Sequence, residues 1–165
     1  GHTGNRSRAF SRPRIHQKIR RSDHSGERIR PRDHFSRLPP DGTMNKVLMI
    51  EDEADLVRFF GEAFKNFKDI QFFSAPGGRE GVEIAKRERP DVAIIDLRMP
   101  GFNGEESLKE LKVLLPKKKF MIMTAWNDEV TRRRIESEIG VDAYFEKPCD
   151  LEEVISKIMK LLEAR

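Results

Sequence analysis

Asp91-Val92-Ala93-Ile94-Ile95-Asp96-Leu97-Arg98-Met99-Pro100-Gly101 sets a four-residue apolar run, Val92–Ile95, directly against a carboxylate and then a Pro-Gly break. The run does not alternate, so both faces of the segment call for burial, as in a strand inside a parallel sheet. The same design repeats on either side of it, at Val47–Ile50, Ile70–Phe73, Phe120–Met123 and Ala143–Phe145. The five runs start 23, 22, 28 and 23 residues apart. That interval holds one strand and one helix, a repeated βα unit.

The stretches between the runs carry helical periodicity. Leu56, Phe59, Phe60, Ala63, Phe64 and Phe67 form one broad apolar stripe, read as core. Leu108, Leu111 and Leu115 form a second, with Asn103 or Gly104 near its start and Pro116 at its stop. Leu151, Val154, Ile155, Ile158, Leu161 and Leu162 form the last, capped by Asp150 with Glu153 three residues on. Asn127–Glu138 differs, because Val130, Ile135 and Ile139 make only a thin stripe beside Arg132-Arg133-Arg134. That helix is expected to be the least firmly anchored. Right-handed crossovers turn such a (βα)5 chain into an α/β fold, a doubly wound five-stranded parallel sheet with helices on both faces.

Charge divides the 165 residues at Met44. Residues 1–43 hold ten Arg and one Lys against four acids, a net +7, whereas residues 44–165 hold 21 bases and 24 acids, a net −3. The first part has no apolar periodicity and too little apolar surface to offset its ordering entropy, so it is expected to be a disordered Arg-rich tail. Three readings of it stay open. Its arginines suit a tether to nucleic acid or another anionic surface. Its four histidines are spaced 14, 8 and 10 residues apart, which matches no metal-ligand pattern. The favoured reading makes Met44 the true start and the rest upstream or non-native sequence, since Met44-Asn45-Lys46 leads straight into a strand. Residues 44–165 are a normal size for one domain with a real core. No run approaches the roughly 18 apolar residues of a membrane span, and arginine stands where the apolar centre of a secretory signal would lie. The single cysteine, Cys149, excludes an intramolecular disulfide and a thiolate zinc site. A cytoplasmic, reducing location is the expectation.

In open α/β sheets the working site lies at the carboxyl ends of the strands. Glu51-Asp52-Glu53 follow the first run, Asp96 the third, Thr124-Ala125 the fourth and Lys147-Pro148 the fifth. If strands 1 and 3 are neighbours, Glu51, Asp52 and Asp96 converge. One pair of like charges at about 4 Å costs roughly 4 kcal/mol at an effective dielectric near 20. A hard divalent cation offsets this, and Mg²⁺, which keeps several waters, suits a few carboxylates better than Ca²⁺. Lys147 adds a second positive group and Thr124 a hydroxyl donor. Together they make a phosphoryl-transfer kit: a carboxylate nucleophile, a metal, a lysine and a hydroxyl. Each alone has an ordinary reading, as a helix cap or a turn. The set, in this order on one sheet edge, does not.

At these residues the sequence resembles the receiver domain of two-component response regulators, of the chemotaxis-regulator kind, over residues 44–165. Lys46-Val47-Leu48-Met49-Ile50-Glu51-Asp52-Glu53 matches the family's first strand and acidic pair, and Asp91–Gly101 its phosphorylation strand and loop, with Asn103-Gly104 following. Met121-Ile122-Met123-Thr124-Ala125 resembles the switch-threonine strand and Ala143-Tyr144-Phe145-Glu146-Lys147-Pro148 the lysine strand. The resemblance implies a flavodoxin-like strand order 2-1-3-4-5. It implies Asp96 as phosphoacceptor, with Glu51, Asp52, Asp96 and the main-chain carbonyl of Arg98 around Mg²⁺, for which Mn²⁺ substitutes. Thr124, Ala125 and Lys147 would then face the phosphoryl oxygens, and Tyr144 would be the aromatic partner of Thr124. Glu51 stands where the family often has Asp, which leaves direct ligation by it open. The implied donor is a sensor histidine kinase or a histidine phosphotransfer protein. The implied readout is a shift of the surface made by the fourth helix, fifth strand and fifth helix, read by an output partner the sequence does not name. Homodimerisation of the phosphorylated form stays open, as does whether the receiver stands alone or belongs to a longer regulator.

Arg98 and Trp126 each lie two residues after a site residue, bordering the route of an attacking water in the family. Bulky side chains there are expected to slow self-dephosphorylation. A haloacid-dehalogenase-type phosphatase would need a second Asp where Arg98 stands. A phosphate-cradling glycine loop is not supplied by Pro76-Gly77-Gly78-Arg79-Glu80-Gly81, which follows the second run, lacks Gly-Lys-Ser/Thr and reads as a helix-start turn. Two alternatives remain beside the phosphoacceptor: a phosphorylation-independent interaction module, and nucleic-acid tethering through the tail. Beyond the signalling phosphotransfer and its reversal, no enzyme activity is expected.

Overall fold

The computed structural model describes residues 42–164 apart from Phe102, Trp126 and Asn127. Strands β1 (Asn45–Ile50), β2 (Ile70–Ala75), β3 (Val92–Ile95), β4 (Lys119–Thr124) and β5 (Ala143–Glu146) alternate with helices α1 (Ala54–Phe64), α2 (Gly78–Glu88), α3 (Gly104–Leu114), α4 (Glu129–Arg134) and α5 (Leu151–Glu163). A π-helical turn, Ile135–Ile139, continues α4. All four strand pairings are parallel, in the order β2-β1-β3-β4-β5. This is the doubly wound, flavodoxin-like α/β sheet that the resemblance implies.

The pleat explains the two layers. Val47, Met49, Val92, Ile94, Met121 and Met123 turn to one face and pack with Leu56, Phe60 and Phe64 of α1 and Val154, Ile158 and Leu162 of α5. Their neighbours Leu48, Ile50, Ala93, Ile95, Phe120 and Ile122 turn to the other, against Val82 of α2, Leu108 and Leu111 of α3, and Ile135. Central strands β1, β3 and β4 therefore need apolar residues at consecutive positions, which is what the unbroken runs supply. Helix starts follow local chemistry: the side chains of Asn103, Asp128 and Asp150 each accept from main-chain N–H groups at the heads of α3, α4 and α5.

Four expectations need correction. The apolar runs at 70–73 and 143–145 do form strands, but at the two sheet edges, so they are not buried on both faces: the middle of β2 and all of β5 are half-buried or exposed. Phe59 is not core; it is 45% exposed, on the outward side of α1. Val130 likewise is 75% exposed, so of the thin stripe on the fourth helix only Ile135 is fully buried. Gly81 lies inside α2 rather than in the turn before it, and a Cβ there would come within 2.3 Å of Ile50 Cδ1. The glycine is there to let α2 approach β1.

Among the described residues no helix is long and apolar enough to cross a membrane. The tail readings concern residues 1–43, of which 1–41 lie outside the described residues, as does Trp126.

Candidate functional site

The parallel ladder carries on past the strand ends and delivers the site residues by main chain. Glu51 N–H donates to Ala75 O at 2.9 Å, Asp96 N–H to Ile50 O at 2.9 Å, and Lys147 N–H to Thr124 O at 2.8 Å. Because β1 and β3 are direct neighbours, Glu51 and Asp96 stand side by side. Carboxylate oxygens of Glu51, Asp52 and Asp96 lie within 4.8 Å of one another. Glu51 and Asp96 are buried, whereas Asp52 is exposed at the mouth. The convergence predicted from sequence is present.

Lys147 reaches into this cluster from the end of β5. Its Nζ donates to Glu51 Oε2 at 2.6 Å and to Asp96 Oδ2 at 2.9 Å. Its side chain is 12% exposed and that of Glu51 1%. The remaining oxygens are held by main chain: Arg98 N–H donates to Asp96 Oδ1 at 2.9 Å and Glu53 N–H to Glu51 Oε1 at 3.2 Å. Burial pushes the Glu51 carboxyl up, and the neighbouring Lys147 ammonium pulls against this without cancelling it. Burial alone would pull Lys147 down, but the hydrogen bonds and charges of Glu51 and Asp96 outweigh it and hold the ammonium above its ordinary range. A single cation thus bridges two buried carboxylates. Among the described residues, no cation pairs with the third carboxylate, Asp52, in this way. The oxygen-only donor set, clustered and partly open to solvent, fits a hard divalent cation.

The floor beneath Asp96 depends on Gly104. A Cβ at Gly104 would lie 1.9 Å from Asp96 O and 2.6 Å from Leu97 Cα, so only glycine lets α3 begin against this loop. Gly104 N–H donates to Leu97 O at 3.3 Å. The pairing of Asn103 with Gly104 thereby acquires a physical reason, one residue to cap and the next to permit close approach.

Thr124 is fully buried at the end of β4, and Ala125 follows it exposed. Tyr144 sits on β5 in register with Ile122, half-buried, with the Arg132 guanidinium 5.0 Å from its ring centre. Arg98 contributes its main-chain N–H to Asp96, and the residue is exposed. The contacts of Arg132 and of Arg134, described below, were not legible in sequence, because both depend on which elements flank α4.

Comparison with known proteins agrees with this geometry. The family model for the response regulator receiver domain matches residues 47–159. Sporulation initiation phosphotransferase F of Bacillus subtilis is 32% identical over 117 residues, covering 71% of this chain and 93% of that protein. The probable transcriptional regulatory protein TcrX of Mycobacterium tuberculosis is 30% identical over 122 residues, 74% of this chain but only 51% of its relative. Among solved structures, the receiver domain of AraT, a response regulator from Geobacillus stearothermophilus, is 31% identical with a TM-score of 0.63, covering 74% of this chain and 98% of that one. A CheY-like receiver from Methanospirillum hungatei shares the fold at 21% identity and a TM-score of 0.65, over 73% and 96% of the two chains. The strand order, the acidic cluster and the lysine directly after β5 thus meet a family match over residues 47–159, all five strands but for the first two residues of β1, and the chain belongs to the response regulator receiver domains.

Proposed function

We propose that Asp96 is the phosphoacceptor and that the donor is the phosphohistidine of a sensor histidine kinase or a histidine phosphotransfer protein. The observation that carries this reading is the placement of Asp96: buried, beside Glu51, under Lys147, with Asp52 at the opening. In the transfer, a carboxylate oxygen of Asp96 forms the new P–O bond as the P–N bond of the donor breaks. The electron pair leaves with the imidazole nitrogen, which takes a proton from solvent. Receiver domains are signalling phosphoacceptors of this kind rather than conventional enzymes.

Glu51, Asp52 and Asp96, with the main-chain carbonyl of Arg98, would hold Mg²⁺, and Mn²⁺ in its place. When bound, the ion supplies positive charge to phosphoryl oxygens that otherwise meet three carboxylates. The chain's own residues do the rest. Lys147 Nζ, 2.9 Å from Asp96 Oδ2, is positioned to follow an oxygen of the new group. Thr124 supplies a hydroxyl, and Ala125 its main-chain N–H. The acyl phosphate adds about two negative charges to the site. Drawing Thr124 toward them opens space beside β4 for the Tyr144 ring, and α4 shifts with it. A partner that prefers the shifted surface of α4, β5 and α5 reads the signal as a change in population. Bulky side chains at Arg98, which is exposed, and at Trp126 border the route of the attacking water and lengthen the life of the acyl phosphate.

Incubation with acetyl phosphate and Mg²⁺ tests the assignment. The parent protein should gain one acid-stable, base-labile phosphoryl group, and Asp96→Asn should gain none. Labelling that survives Asp96→Asn would place the acceptor elsewhere and end this reading. For the lifetime role, Trp126→Ala should shorten the phosphate half-life; an unchanged half-life removes it.

A further inference from the structure

Three consecutive arginines on α4 face three different ways. Arg133 stays on its own helix, its Nε donating to Glu129 Oε1 at 2.8 Å in an exposed pair. Arg134 leaves the helix for α3, donating from its two terminal nitrogens to Glu105 Oε1 at 2.7 Å and Oε2 at 2.6 Å. This is the two-bond fork that planar guanidinium and carboxylate groups form. Arg132 turns to the opposite side, its guanidinium over the Tyr144 ring of β5 and its Nε donating to Glu136 Oε1 at 3.1 Å. Little apolar packing assists them, since Val130 faces outward and Ile135 is the fully buried apolar residue of the segment. A π turn, a form often found at functional segments, begins directly after Arg134.

We infer that Arg132 and Arg134 form a clasp that holds α4 and Tyr144 in the unphosphorylated arrangement, Arg134 through its fork on Glu105 and Arg132 through its seat on the Tyr144 ring. The inference rests on the reading above, in which α4 and Tyr144 move when Asp96 is phosphorylated. Both arginines are positioning residues, remote from the phosphoryl group. On this reading, a Tyr144 ring that turns toward Thr124 draws away from the guanidinium now 5.0 Å from its centre, and a shift of α4 past α3 opens the fork. Each tie is partly exposed and individually modest. The clasp therefore sets a resting bias that a new charge at Asp96 overcomes. Arg133 has neither attachment and takes no part.

The test compares Arg132→Met, Arg134→Met and Arg133→Met, which keep an apolar stem and remove the charge. Amide exchange across residues 129–139 of the unphosphorylated protein should accelerate about two- to fivefold for the first two, the equivalent of 0.5–1 kcal/mol, and stay at the parent rate for the third. The half-saturating concentration of beryllofluoride in Mg²⁺ should fall by a similar factor in the same two variants. Tyr144 is the single tyrosine, so its phenol titrates alone in the ultraviolet. Burial raises it, Arg132 pulls it down, and Glu136, Glu146 and Asp128 push it further up, so Arg132→Met should raise it and Arg133→Met should not. Unchanged exchange in both Arg132→Met and Arg134→Met overturns the clasp, as does an equal response from Arg133→Met. Faster exchange with an unmoved beryllofluoride midpoint overturns it too, because the ties would then not oppose the switched state. A parent protein that ignores beryllofluoride overturns the phosphoacceptor reading instead, and exchange still decides whether the clasp exists.

Discussion

On one flank of the acidic cluster, α3 begins against the main chain of Asp96 and Leu97 with no room for a single methyl at Gly104, and the strands beneath it are buried on both faces. On the other flank, α4 rests on one fully buried isoleucine, a forked ion pair and an arginine over a ring. The first flank is made by register, burial and close main-chain approach, which have one solution. The second is made by partly solvated charges, which have several solutions close in energy. A receiver needs both. On the function proposed above, the acceptor keeps its geometry whichever state the protein is in, whereas the reporting surface moves for the energy of one added phosphate.

Substitutions should separate the flanks by size of effect. Gly104→Ala is expected to be the most damaging, costing about 3 kcal/mol or more, the upper end for overpacking, because the added Cβ meets main chain rather than a flexible side chain. Denaturant unfolding measures this, and a loss below 1 kcal/mol would show that the α3 flank is not rigid. Lys147→Met leaves Glu51 and Asp96 buried without their cation and should cost roughly 3 kcal/mol in metal-free buffer, the low end for breaking a buried pair. Mg²⁺ should raise the melting temperature of that variant by more than it raises the parent's. Ile135→Ala should cost about 2 kcal/mol, with Val130→Ala within about 0.5 kcal/mol of the parent. Equal losses at the two positions would contradict the view that α4 has one apolar anchor.

The smallest effect concerns pH. The Thr131 hydroxyl, 2.6 Å from Asp128 Oδ2, together with the N–H groups of Val130 and Thr131, holds the Asp128 carboxyl below its ordinary range. As pH falls, the unfolded chain binds this proton first. The cap's stabilisation is thus complete above the ordinary aspartate range and is lost as pH drops through the folded value. Asp128→Ala should flatten that part of the acid limb in pH-dependent unfolding, and an unaltered acid limb would mean the cap is not closed in solution.

Much of the rigid flank was legible in sequence for a physical reason. An unbroken apolar run followed by a polar residue specifies both a strand and the residue at its carboxyl end, so the sequence alone places Asp96, Glu51, Thr124 and Lys147 on one edge. Sequence pattern misleads where one face of an element meets solvent. Phe59 and Val130 fit a helical stripe by spacing, yet a stripe wider than the contact it serves leaves its margin exposed. The runs of β2 and β5 look as apolar as those of the central strands, although each lies at an edge with one side open.

The amino-acid sequence by itself determined the βα repeat, the two-faced burial of the central strands and the set of polar groups at their ends, because periodicity and strand polarity are local properties that a chain carries along its length. Tertiary structure alone decided that Lys147 bridges Glu51 and Asp96, that Gly104 must admit a main-chain contact, and that Arg132 and Arg134 part to opposite sides of α4. Those outcomes join residues 7 to 96 positions apart. Long charged side chains have many partners within reach, and only the packing of the elements around them selects one.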